Sequence, residues 1–148
     1  LDARDTPVVL VLFGDHKPWM GNGGSVYEEM GIDFDTSTLA GFRNYYATPY
    51  LIWANRAAKE VLGADFTGDG GDFSPCFLMT RLFDACGWAG PGYMQLSRAM
   101  RDISPLLHTN GLFLHDGVLT SVLSDTDRSF YRSWLAVQYY REHVAAYS

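Results

Sequence analysis

The residues of this chain best suited to chemistry are Asp15 and His16, adjacent in Gly14-Asp15-His16-Lys17. A carboxylate offers a hard anionic oxygen and a neutral imidazole offers a nitrogen, two donor types that can share one divalent ion. They follow directly on the apolar run Val8-Val-Leu-Val-Leu-Phe13, and the carboxyl end of a strand in an open α/β sheet is where ligands and catalytic groups gather. Gly14 is expected to let the chain turn sharply there. Two donors do not complete a site, so a plainer reading stays open in which Asp15 caps the next turn and His16 is a surface or core histidine. Lys17 could meet a phosphate as a point charge or simply be solvated. Trp19, after Pro18, could contact a substrate or pack over its own loop.

Other candidates are weaker. Asp65-Phe-Thr-Gly-Asp-Gly70 imitates the opening of a calcium loop, but the twelfth position is Cys76 rather than a bidentate Glu, so a flexible connector accounts for it better. His108 and His115 fall in different expected elements with no further ligand at suitable spacing. Cys76 and Cys86 are expected in one helix, about 15 Å apart along its axis, too far for a disulfide. Neither has a basic cluster to activate it, so both read as inert thiols.

These residues need a scaffold. Val8 to Phe13 has the pattern of a strand covered on both faces of a parallel sheet, and Thr48-Pro49-Tyr-Leu-Ile-Trp-Ala-Asn55 is a second such strand, with Trp53 in the core. Ser25-Val-Tyr-Glu28 has capping-box spacing, predicting a short helix from Ser25 to Met30 that Gly31 ends. Strand, helix-bearing connection and strand make a βαβ arrangement. Beyond the Gly- and Asp-rich stretch 63–73, Ser74 as N-cap and Pro75 open a helix to Gly87, with Leu78, Leu82 and Cys86 on its apolar face beside Met79 and Phe83. Tyr93 to Asp102 is a second helix. Asp116-Gly117 between Leu112–His115 and Val118–Leu123 predicts a type I′ hairpin, and Asp125 to Asp127 cap a closing helix to about Tyr140, with Tyr131, Trp134, Leu135 and Gln138 along it. The fold class is therefore α/β: parallel strands with helices, then a C-terminal β-hairpin and helix.

Composition limits the function. The 148 residues are 47% hydrophobic and 15% aromatic, which suits one compact core and excludes disorder. A net charge of −6 without any run of Lys or Arg argues against nucleic acid as a partner. The longest apolar run falls far short of the roughly 20 residues of a membrane span. The chain begins with Leu and shows no signal-peptide pattern, so it is expected to be a piece of a longer protein.

Val8-Val-Leu-Val-Leu-Phe-Gly-Asp-His-Lys-Pro18, followed by Tyr46-Ala-Thr-Pro-Tyr-Leu-Ile-Trp-Ala-Asn55, resembles the C-terminal part of the lipoteichoic acid synthase and phosphoglycerol transferase family, within the sulfatase and alkaline phosphatase superfamily. The Ser74-Pro75 helix, Asn110-Gly111 and the Tyr139-Tyr140 helix extend the likeness over nearly the whole chain. The resemblance implies the C-terminal part of an alkaline-phosphatase-like fold. It also implies a membrane-anchored transferase at the outer face of the cytoplasmic membrane, moving phosphoglycerol or phosphoethanolamine from a phospholipid donor to a glycan or polyol-phosphate acceptor. In that family one divalent ion, manganese foremost and magnesium or zinc as alternatives, is held by a Glu, a nucleophilic Thr and an Asp-His pair. Asp15 and His16 match the pair. The Glu, the Thr and the donor-binding residues belong to the family's N-terminal half, so this chain alone is expected to be inactive.

Two further readings stand beside this one. The same fold could serve sulfate-ester or phosphodiester hydrolysis, since the Asp-His pair is common across the superfamily; or the chain could be a non-catalytic binding module that holds no metal. A sheet cut from its neighbours would expose an edge and apolar faces, so homodimerisation or a rearranged N-terminal segment is also expected.

Overall fold

The computed structural model describes residues 1–144. The chain divides into two compact units, Leu1–Phe66 and the stretch from Thr67 onward, so the apolar content is shared between two small cores rather than one.

In the first unit, strands β1 (Val9–Phe13) and β2 (Tyr50–Ala54) pair antiparallel, with Val9 opposite Ala54 and Phe13 opposite Tyr50. This corrects the parallel βαβ expectation. A parallel crossover must carry the chain back to the starting end of the first strand. Here the connection closes where it began: the Gly14 N–H donates to the Pro49 carbonyl at 2.9 Å and Thr48 Oγ1 donates to the Gly14 carbonyl at 2.7 Å. Nor are the strands covered on both faces, because Leu12, Phe13 and Leu51 are each at least half exposed. Trp53 is half-buried.

The connection holds α1 (Ser25–Glu29) and α2 (Leu39–Tyr46). The capping-box expectation for α1 is corrected: its N-cap is Gly24 in the left-handed region, and Ser25 already lies inside the helix. A 3-10 turn over Asn22–Gly24 leads into it, so no side-chain cap is needed. Gly31 ends it at φ 71° as expected. Helix α2 starts where Thr38 Oγ1 accepts the Gly41 N–H at 3.0 Å. Gly41 is obligatory, since a Cβ there would stand 2.1 Å from the Asp35 carbonyl oxygen. Helix α3 (Arg56–Leu62) follows β2 directly, capped by Asn55 and ended by Gly63 at φ 64°.

Asn55 is fully buried. Its Oδ1 accepts from the Val8 and Ala58 N–H groups, both at 2.9 Å, and its Nδ2 donates to the carbonyls of Thr6 at 3.0 Å and Arg4 at 3.1 Å. One amide thus starts α3 and fixes the entry of β1.

In the second unit, the expected helix from Ser74 to Gly87 divides into a 3-10 turn over Pro75–Phe77 and α4 (Leu78–Ala85). Ser74 Oγ does not cap it; the hydroxyl donates to the Leu107 carbonyl at 3.0 Å and accepts the Leu107 N–H at 2.8 Å. Thr80 is the buried residue of α4, while Met79 is exposed. Helix α5 (Gly92–Ile103) covers the predicted stretch. Strands β3 (Phe113–His115) and β4 (Val118–Thr120) form the predicted hairpin, with φ of 49° at Asp116 and 77° at Gly117 as a type I′ turn requires. Helix α6 (Asp125–His143) is capped by Ser124 rather than by Asp125 to Asp127: Ser124 Oγ accepts the Asp127 N–H at 3.1 Å and donates to Asp127 Oδ2 at 2.7 Å. Leu135 on this helix faces solvent. The core gathers Phe77, Met100 and Trp134, and the Trp134 indole N–H donates to Ser97 Oγ at 2.9 Å. Among the described residues no helix is long and apolar enough to cross a membrane.

Candidate metal centre

Asp15 and His16 leave β1 at its carboxyl end, as the sequence predicts, but the turn does not come from glycine's conformational freedom. Gly14 lacks a positive φ. What it supplies is space, since a Cβ there would lie 2.9 Å from Thr48 Cβ. This close approach lets Thr48 clamp the Gly14 carbonyl and fixes where the next two residues leave the sheet.

Both side chains are exposed, 93% for Asp15 and 81% for His16, and Asp15 Oδ2 stands 3.8 Å from His16 Nε2. The ring's other nitrogen, Nδ1, lies 3.1 Å from the Lys17 carbonyl oxygen. A carbonyl only accepts, so the tautomer with its proton on Nδ1 is the one that bonds to Lys17 and leaves the Nε2 lone pair for a cation. Two oxygen and nitrogen ligands of one ion, each about 2.1 Å from it, stand roughly 3.0 to 3.4 Å apart at octahedral or tetrahedral angles. The observed gap exceeds that by about 0.4 Å for tetrahedral and about 0.8 Å for octahedral angles, and both exposed side chains are free to close it by rotation. The donor types therefore suit a divalent ion. They supply two ligands only: among the described residues no group of three His, Cys, Asp or Glu side chains could hold a metal.

The neighbouring candidates are placed differently. Lys17 turns inward, its ammonium donating to the Asn44 carbonyl and lying 5.9 Å from the centre of the Phe34 ring. That engages one of three N–H donors. Trp19 is 59% exposed and meets Tyr45 edge-on, with ring centres 6.0 Å apart. Tyr45, on α2, was not singled out from the sequence, nor was α2 itself; Thr38 followed by Leu39 and Phe42 was the available signal. The histidines of the second unit do not assemble a centre: His115 Nδ1 lies 3.2 Å from the Ile103 carbonyl, and His108 Nδ1 accepts the Asn110 N–H. Cys76 and Cys86 are free thiols. Cys76 is a surface residue, yet desolvation around its sulfur pushes the thiol pKa up to about 11.

No family model, curated protein or solved structure matches this chain.

Proposed function

We propose that this chain is the C-terminal part of a sulfatase-like, metal-dependent phosphotransferase, one that moves phosphoglycerol or phosphoethanolamine from a phospholipid donor to a glycan or polyol-phosphate acceptor at the outer face of the cytoplasmic membrane. The observation that carries the reading is the Asp15–His16 pair: adjacent residues at a strand end, donor atoms 3.8 Å apart, both open to solvent.

A divalent ion bound there, manganese foremost, would neutralise charge on phosphoryl oxygens and acidify a coordinated hydroxyl. The chain's own residues serve that purpose by position. Asp15 presents an anionic oxygen, and a hydrogen bond from His16 Nδ1 to the Lys17 carbonyl would leave the Nε2 lone pair for the ion, the usual role of a residue behind a ligating histidine. Gly14 and Thr48 tie the pair to the β1–β2 ladder. On this reading the remaining ligands and the nucleophilic Thr belong to the N-terminal half of the family's catalytic domain.

The test is made on the protein with the upstream sequence that completes the site. Asp15→Asn and His16→Gln are each expected to lower bound manganese and to abolish release of diacylglycerol from phosphatidylglycerol. Full metal content and full turnover in both variants would overturn the reading.

A further inference from the structure

Trp19 is a large apolar side chain that folding has left mostly in water, yet it is held in place. A Cβ on Gly24 would stand 3.7 Å from the indole Cη2, so that edge lies against the loop backbone. Behind Trp19 the rings continue: Tyr45 meets Phe34 edge-on at 5.5 Å, Phe34 meets Tyr27 at 5.0 Å, and the Tyr27 hydroxyl donates to the Pro18 carbonyl at 2.6 Å. The residue preceding the tryptophan is thus tied to the far end of the same aromatic row. An aromatic surface that is both exposed and immobilised loses little entropy when something settles on it.

We propose that Trp19, buttressed by Tyr45, is a stacking ledge for a pyranose ring of the acceptor. The assignment to the acceptor rests on the reading of Asp15 and His16 as part of a transferase site three residues away. A pyranose presents a face of weakly positive C–H groups to the negative face of an indole. Exposed Asn22, in the adjoining 3-10 turn, offers amide donors and an acceptor for hydroxyls. Charge selects this occupant over a lipid surface: between Gly14 and Thr48 the chain carries Asp15, Glu28, Glu29, Asp33 and Asp35 against only Lys17 and Arg43. A segment with this balance has no basic cluster to draw Trp19 onto an anionic bilayer, which recruits basic segments, and sets no charge penalty on a neutral sugar.

The experiment titrates methyl β-D-glucopyranoside into the isotope-labelled chain with chelator present, so that its outcome is independent of metal binding. The Trp19 indole N–H signal is expected to move saturably. Trp19→Ala is expected to weaken binding at least about tenfold while far-UV circular dichroism stays unchanged, and Trp19→Phe to restore most of it. The proposal is overturned if the indole signal does not move, if Trp19→Ala binds as the parent does, or if Trp19 responds to phosphatidylglycerol vesicles and not to the sugar. Sugar binding in a protein whose Asp15–His16 pair takes no manganese would refute the metal reading and leave the ledge standing.

Discussion

Replacing Asn55 with alanine removes the one side chain that serves β1, α3 and the N-terminal segment together. The losses follow from the bonds. The N-cap to Ala58 is worth about 1 kcal/mol, and the Val8 N–H, left without its 2.9 Å partner, costs about 1 to 3 kcal/mol when buried groups go unpaired. The carbonyls of Arg4 and Thr6 lose a donor, but they lie in an exposed segment where water substitutes at small cost. The total is about 3 kcal/mol. A unit of this size is held by roughly 3 to 10 kcal/mol, so the loss takes about a third or more of its stability. Urea denaturation followed by far-UV circular dichroism measures the loss. Asn55→Asp separates the roles: it keeps the acceptor for Val8 and Ala58 but turns an oxygen toward the Arg4 and Thr6 carbonyls. Hydrogen exchange should then show α3 and the Val8 N–H still protected and residues 1–7 released. A loss below about 1 kcal/mol for Asn55→Ala would refute the claim that this amide organises the unit.

Other perturbations are equally specific. Gly14→Ala places a methyl group 2.9 Å from Thr48 Cβ and should cost about 1 to 3 kcal/mol by overpacking, read as a lowered urea midpoint. Ser97→Ala strands the buried Trp134 indole N–H and should cost the second unit about 1 to 3 kcal/mol by the same assay. Burial resists ionisation of Asp84, but hydrogen bonds and charges from Arg101 and Arg98, at 2.7 Å and 2.6 Å, outweigh it and hold its carboxyl below the usual range. A depressed folded pKa contributes stability that is complete above the unfolded value of about 3.8 and is lost as pH falls through the folded one. Asp84→Asn should therefore be less stable at neutral pH and lose less on acidification, as thermal melts at stepped pH would show. With a thiol pKa of about 11, Cys76 should react with iodoacetamide slowly at neutral pH and faster in strong alkali; rapid neutral labelling would contradict that placement.

The sequence made some of this legible because local chemistry decides it. Asp116-Gly117 could only turn one way between two apolar strands, and the closing helix needed little more than its capping residues. Strand direction was not legible. An unbroken run such as Val8 to Phe13 reports apolar surroundings, not which way its partner runs, and the Gly14–Thr48 contact that settles the matter spans 34 residues. Helix α3 escaped notice because Asn55 reads as the end of an apolar strand, although Asn55 and Gly63 bracket the helix with suitable cap residues. Ser25 and Ser74 both resemble N-caps, yet a left-handed glycine replaces one and a distant loop claims the hydroxyl of the other. At the candidate site, the position of Asp15 and His16 was legible, whereas the Lys17 carbonyl beside the imidazole depends on the local backbone path and the aromatic row behind Trp19 on tertiary approach.

The central claim is that Asp15 and His16 act as two ligands of one cation, and it is tested most directly by titrating manganese into the chain with histidine rings isotopically labelled. Paramagnetic broadening should reach His16 before His108, His115 and His143, and Asp15→Asn should remove that preference. Equal broadening of all four rings, or a His16 signal untouched while others broaden, would contradict the account.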